Sequence, residues 1–335
     1  MLVGTMGLLL GAGLLHYAGL GAVAAALRTV GWGGAGAVLA FHLGLFGLLG
    51  LCWFVILPRR SGRTAAACVW GRMVRDAGSD VLPLSQLGGL IMGVRAAGLA
   101  GLPAALAFAS TLVDVTLEMV AQLAFTGIGL ALLTAARPDS ALVGPTLVGL
   151  GFAGLATLGF IAAQLLGLEL VESLVRRLAV RLLPAAPAGS ASVQEGIHEV
   201  YRAPGRLALG ALLHLAAWVA SGIEAWLALR FMGVEVDGAA IGPGPVLAME
   251  SLLYAARSAA FAVPNAVGVQ EGAYVMLGAV FGLEPETVLA LSLLKRSRDV
   301  VLGVPVLLAW QAAEGARLRR RPAADALRTS AETAP

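Results

Sequence analysis

The chain has 335 residues, of which 59% are hydrophobic and only 13% charged, with a mean hydropathy of +0.86. A soluble domain carries about 25% charged residues, so this chain has too few to coat a water-facing surface and reads as a single integral membrane domain. Its formal charge of +3 is no nucleic-acid signature, because Arg and Lys collect at segment ends instead of forming a stripe.

A spanning helix needs about 20 mostly apolar residues. Residues 1–27 and 32–57 qualify, interrupted only by His16 and His42. The first segment lacks the basic n-region of a signal peptide, and its apolar run is too long for one. Cys52 lies in an apolar run and Cys68 in a cytoplasm-side stretch, so both read as packing residues and not as a disulfide. Segments 102–133, 141–168, 207–232 and 286–311 are also long enough to cross.

Two regions break that template. Residues 64–101 mix Arg72, Arg75, Asp76, Asp80 and Arg95 with short apolar runs around Leu82-Pro83-Leu84 and Gly88-Gly89. Residues 246–283 are interrupted at Pro264-Asn265 and again over Gly268-Val269-Gln270-Glu271-Gly272. Proline removes a backbone donor and stops a helix, and glycine tolerates the dihedrals of the bend that follows. Each region is expected to form two half-length helices meeting inside the membrane, where irregular backbone survives only if buried in protein or lining a wet cavity.

The expected fold class is therefore all-α: a polytopic helical bundle of about six full crossings and two re-entrant hairpins. Basic residues set its orientation. Arg59, Arg60 and Arg63 follow the second span, Arg176, Arg177, Arg181, Arg202 and Arg206 precede the fifth, and Arg317, Arg319, Arg320 and Arg321 follow the last. The other side holds only Arg28, Arg137 and the acidic loop Glu235-Val236-Asp237. Both termini are then cytoplasmic, and the membrane domain is expected over 1–315. Residues 169–205 suit an amphipathic cytoplasmic segment, in which Leu170, Leu174 and Leu178 recur near helical spacing and 194–201 can form a short helix. The stretch 316–335 reads as a basic, then disordered tail.

The broken regions share a layout. Pro83 to Pro103 and Pro264 to Pro285 span nearly equal intervals, and each second proline precedes a charged residue, Asp114 or Arg296, by the same distance. One region starts on the cytoplasmic side and the other opposite it, so the repeat is inverted, a plan under which transporters bind substrate where broken helices meet.

Charge inside the bilayer costs about 2.5–3.5 kcal/mol per residue on insertion scales, so such groups should pair or line a polar cavity. Asp114, Glu118 and Gln122 are four apart and share one helical face. Arg296 lies at equivalent depth from the other side, flanked by Lys295 and Arg298, and Asp114 and Glu118 are expected to face Arg296 or Arg298 across a cavity. Arg75, Arg95, Glu250, Arg257 and Asp299 complete the nearby charges, whose count leaves the cavity's sign open. Gln86, Gln270 and Glu271 sit nearest the hairpin tips, where helix N-termini add positive potential; each serves equally as a cap or as a ligand contact. Glu224 and Arg230 read as a helix-end or interior pair, and His16, His42 and His214, with no shared spacing, as core or interfacial residues.

Neither a Walker motif nor an HExxH pattern occurs, and no His/Cys/Glu cluster has metal-ligand spacing. No cofactor is expected. Gly31-Trp32-Gly33-Gly34-Ala35-Gly36 lies between two spans and not in a strand–turn–helix, so it is no nucleotide fingerprint. Nothing near Asp114 and Glu118 suggests a nucleophile, so the chain is not expected to be an enzyme.

The run Arg72-Met73-Val74-Arg75, then Leu82-Pro83-Leu84-Ser85-Gln86-Leu87-Gly88-Gly89, Arg95 and Asp114 resembles the flippase-like family related to the membrane region of lysylphosphatidylglycerol synthases. Glu250-Ser251, Arg257-Ser258-Ala259-Ala260-Phe261, Pro264, Gly268 to Gly272 and Leu294 to Asp299 resemble most closely its subgroup associated with hopanoid biosynthesis. The resemblance spans about residues 5–312. It implies a bacterial inner-membrane protein that moves or flips a lipid, a hopanoid or phospholipid, through a central cavity between re-entrant hairpins. It also raises hopanoid-synthesis enzymes as partners. The bifunctional synthases carry a soluble aminoacyl-transferase domain after the membrane part, whereas this sequence runs only to Pro335, so aminoacyl-lipid synthesis is not expected. Two alternatives remain: a non-transporting accessory or scaffold for lipid biosynthesis, and an ion-coupled solute transporter with Asp114 and Glu118 as proton carriers. Gly-rich faces permit helix association within or between chains.

Overall fold

A computed structural model describes residues 20–80, 86–166, 190–260 and 263–332. In chain order its helices are α1 (Leu20–Thr29), α2 (Gly31–Ile56), α3 (Gly62–Asp80), α4 (Gln86–Leu99), α5 (Ala104–Ala136), α6 (Val143–Leu166) and α7 (Ser190–Tyr201). There follow α8 (Pro204–Phe231), α9 (Pro243–Ala259), a short 3-10 turn (Pro264–Ala266), α10 (Val269–Val280) and α11 (Pro285–Glu332). Between α8 and α9 the strands Glu235–Val236 and Ala239–Ala240 pair antiparallel. Asp237 and Gly238 turn between them at φ 53° and 75°, the primed geometry that matches strand twist.

Among the described residues, five helices are long and apolar enough to cross a bilayer: α2, α5, α6, α8 and Pro285–Arg317 of α11. They coincide with five of the six expected crossings. The sixth, 1–27, lies largely outside the described residues, as do the amphipathic stretch around 170–182 and the Leu82-Pro83-Leu84 break. One expectation needs correction. The glycine run 31–36 is not a connection but the opening of α2, entered through Gly31 at φ 62°.

The spans are apolar around most of their circumference because one side meets protein and the other lipid. At the extreme is α6, whose apolar window is only 6% buried and which turns Phe152, Leu155 and Leu158 outward. Elsewhere glycine sets close approach. Gly34 on α2 lies against Phe231 at the end of α8, and Gly210 near the start of α8 lies against Ile56 at the end of α2. The two helices therefore run antiparallel.

That pairing decides where the broken regions go. The α3/α4 pair follows the C-terminal end of α2, and the α9/α10 pair follows the C-terminal end of α8. The two pairs therefore join the bundle at opposite ends. Between α3 and α4 the backbones nearly touch: a Cβ on Gly93 would lie 2.7 Å from both the Gly71 carbonyl and the Arg75 Cβ. The C-terminal end of α3 meets the turn between α9 and α10 in the interior, where Asn265 donates Nδ2–H to the Asp80 carbonyl at 2.6 Å. That turn is strained. Asn265 and Ala266 sit at φ 47° and 46°, a region that asparagine tolerates but that costs alanine roughly 1–2 kcal/mol.

Candidate functional site: a charged cavity between two helical pairs

A cavity of roughly 490 Å³ lies where α2, α3, α5, α8, α9 and α11 converge around that contact. Its charged wall begins on α3, where Arg72, Arg75 and Asp76 project from one face at helical spacing. Arg72 grips Glu118 with both Nη atoms (3.1 and 2.7 Å) and gives Nε–H to Asp76 at 2.9 Å. Arg75 donates to Glu118 at 2.6 Å and to Asp114 at 3.4 Å. Asp114 and Glu118 are one helical turn apart on α5, so a single stripe of acids meets a single stripe of guanidiniums. Asp114 also meets His214 of α8, a cavity-lining residue with no solvent exposure, whose Nε2 lies 2.9 Å from Asp114 Oδ1.

A second cluster closes the other wall. Arg298 of α11 donates to Glu224 at 2.7 Å and to Asp299 at 2.6 Å. His42 of α2 holds the same Glu224 oxygen at 3.1 Å. Between the clusters Arg257 approaches Asp80 at 3.7 Å and donates to Asn265 Oδ1 at 3.2 Å, tying the end of α9 to the end of α3 and to the turn that follows α9. Tyr254 packs edge-on to Trp218 and lies under the Arg257 guanidinium, 5.7 Å from its ring centre. Ser79, Gln122, Ser221 and Ser258 add neutral polar groups, and one side of the lining is apolar: Leu87 and Leu90 on α4, Val115 and Met119 on α5, and Ala260 and Val263 after α9. Leu87 is 60% exposed, so this apolar side forms a rim.

Of the expected site residues, the cavity gathers Arg75, Glu118, Arg257, Arg298 and Asp299. Asp114 stands just behind the wall. The expected pairing of Asp114 and Glu118 with Arg296 or Arg298 does not form, because successive residues of α11 point about 100° apart and only Arg298 reaches the cavity. Lys295 turns to Glu250 (2.6 Å), which also accepts from Tyr274 at 2.5 Å, a buried brace between α9, α10 and α11. Arg296 turns to Glu271 at 2.7 Å. Glu271 caps α10 by accepting the Gly268 N–H at 2.8 Å, and Gln270 donates to Ser292. Arg95 pairs with Glu314 between α4 and α11. The Gln86 side chain lies outside the described residues. Glu224 does not pair with Arg230, its partners being Arg298 and His42.

The capping role carries its own expectation. Glu271→Ala removes an N-terminal cap and the carboxylate beside Arg296, and should lower stability by about 2 kcal/mol without altering the cavity wall. Thermal unfolding of the purified protein in detergent reads this out.

Sequence reasoning undervalued Arg72, Asp76, His42, His214 and Tyr254. The spacing of Arg72, Arg75 and Asp76 was a readable signal. For the histidines no local signal existed, since their carboxylate partners lie 182 and 100 positions away. Cys52 and Cys68 are buried and free. No group of three or more His, Cys, Asp or Glu able to hold a metal occurs among the described residues.

These features define a polytopic all-helical membrane protein with an ion-paired cavity between two helical pairs. The chain belongs to the family described as the lysylphosphatidylglycerol synthase TM region, whose model matches residues 4–306. No curated protein and no solved structure gives a match.

Proposed function

We propose that this protein moves a polar-headed lipid across or out of the bacterial inner membrane, taking the headgroup into the cavity while the acyl or polycyclic part stays in the bilayer. The observation that carries this reading is the two-sidedness of the cavity, charged where α3, α9 and α11 bring arginines and acids to it and apolar at Leu87, Leu90, Val115, Met119, Ala260 and Val263. Glu118 lies about 21 Å along α5 at 1.5 Å per residue, near the middle of that span. A volume of roughly 490 Å³ suits a headgroup, being within the usual range for small-ligand pockets.

On this reading α3/α4 and α9/α10 are re-entrant pairs of an inverted repeat, entering from opposite leaflets with their turns at the substrate. Both termini are cytoplasmic, as the arginine distribution requires. Membership of a family named for the membrane region of a lipid synthase supports a lipid substrate, and a hopanoid is the one the sequence resemblance favours.

Reconstitution in liposomes with a leaflet-specific lipid assay tests the proposal. Wild type should move labelled lipid, and Arg75→Ala and Arg298→Ala should each slow it at least about tenfold, the effect of about 1.4 kcal/mol. If both variants match wild type, the charged-cavity mechanism is wrong. If wild type moves no lipid, the accessory role in lipid biosynthesis takes its place.

A further inference from the structure

Counting charge at the cavity leads beyond lipid movement. On the wall, the four guanidiniums of Arg72, Arg75, Arg257 and Arg298 are matched by four carboxylates, Asp76, Asp80, Glu118 and Asp299. Two more acids, Asp114 and Glu224, stand one hydrogen bond behind it, 1% exposed each. These two supply the excess negative charge, and each holds an imidazole that itself lines the cavity: His214 on Asp114 and His42 on Glu224. With neutral imidazoles the site carries a formal charge of −2; with both protonated it is neutral. A buried site disfavours net charge, and imidazole is the side chain whose unperturbed charge change falls between pH 5 and 8.

A second observation marks the same two pairs. Among the described residues, buried side-chain atoms without a hydrogen-bond partner include His214 Nδ1 and Glu224 Oε1, one in each pair, and Ser79 Oγ on the wall. Each pair therefore keeps a buried polar atom with no hydrogen-bond partner.

We propose that His214 and His42 bind protons when the cavity is empty and exchange them as it fills, which makes the protein a proton-coupled carrier. The coupling, though not the proton binding, rests on the lipid reading above. His214 meets Asp114 and Glu118 from α5 and Cys52 from α2, and Asp114 in turn meets Arg72 and Arg75 from α3. His42 meets Glu224 from α8, with Arg298, Asp299 and Lys295 from α11 beyond it. In both clusters the guanidiniums keep their protons throughout. Asp80 is a third titratable group on the wall, its carboxyl pushed up to about 7 by burial and by Asp299, and the histidine variants below separate its protons from those of the imidazoles.

Two measurements test this. Nitrogen-15 NMR of histidine-labelled protein in detergent without lipid substrate, assigned with His214→Gln and His42→Gln, should show both rings as imidazolium; two neutral rings would overturn the proposal whatever the protein transports. In liposomes, a proton gradient should drive lipid into one leaflet by up to roughly tenfold per pH unit and proton carried. The double variant His42→Gln/His214→Gln should lose that response. Wild-type lipid movement indifferent to the gradient would overturn the coupling and leave the lipid reading standing. Protein-dependent collapse of the gradient without lipid movement would support proton exchange and defeat the lipid reading.

Discussion

Glu118→Ala is expected to cost the fold about 3 kcal/mol and to abolish lipid movement. One carboxylate here serves two buried guanidiniums, accepting three hydrogen bonds from Arg72 and Arg75. Truncating it leaves Asp114 and Asp76 to balance both. Breaking a buried ion pair from one side costs about 3–5 kcal/mol because the surviving charge stays desolvated, and an unpaired arginine at the middle of a span costs about 2.5–3.5 kcal/mol on insertion scales. The argument also predicts a rescue. Arg72→Met combined with Glu118→Gln removes one guanidinium together with its carboxylate, at the expense of the Arg72–Asp76 contact, and should recover part of the stability but none of the transport, because Arg75 keeps only its 3.4 Å contact to Asp114. Unfolding midpoints in detergent and the liposome assay separate the two effects. A double variant no more stable than Glu118→Ala would show that the ion pairs do not govern the fold.

Gly93→Val should be as damaging by a purely steric route. A Cβ at Gly93 would sit 2.7 Å from the Gly71 carbonyl oxygen on α3. Backbone cannot swing aside as a side-chain tip does, so α4 must move away from α3. Overpacking of this kind costs about 1–3 kcal/mol. The same Cβ would also lie 2.7 Å from the Arg75 Cβ, so the displacement shifts the guanidinium that holds Asp114 and Glu118. Transport should fall with stability, and the loss should exceed that of Gly98→Val, since a Cβ at Gly98 meets nothing within 4 Å. Equal losses at the two glycines would rule out close α3/α4 packing as the support of the site.

The contrast between Gly93 and Gly98 shows how far sequence could reach. Both are glycines in one apolar helix, and only the packed structure tells them apart. The same holds for the α11 charges. Lys295, Arg296 and Arg298 look equivalent in a string, yet a rotation of about 100° per residue sends them to Glu250, Glu271 and the cavity.

What the sequence determined by itself was the class of protein and the segments that cross, because hydropathy acts locally: a run of about 20 apolar residues spans a bilayer whatever its neighbours are. The interruption between α9 and α10 was legible for the same reason, since Pro264 and Gly268 act on their own backbone. The acid stripe of Asp114 and Glu118 was legible because both residues lie on one helix. Their partners were decided only by tertiary structure. An unpaired charge in a membrane interior must find its counterpart, but nothing local says where, and here Arg72, Arg75 and His214 arrive from two other helices. The histidines make the point most sharply. Unremarkable in the sequence, they join the lining of one cavity once α2 and α8 pack antiparallel.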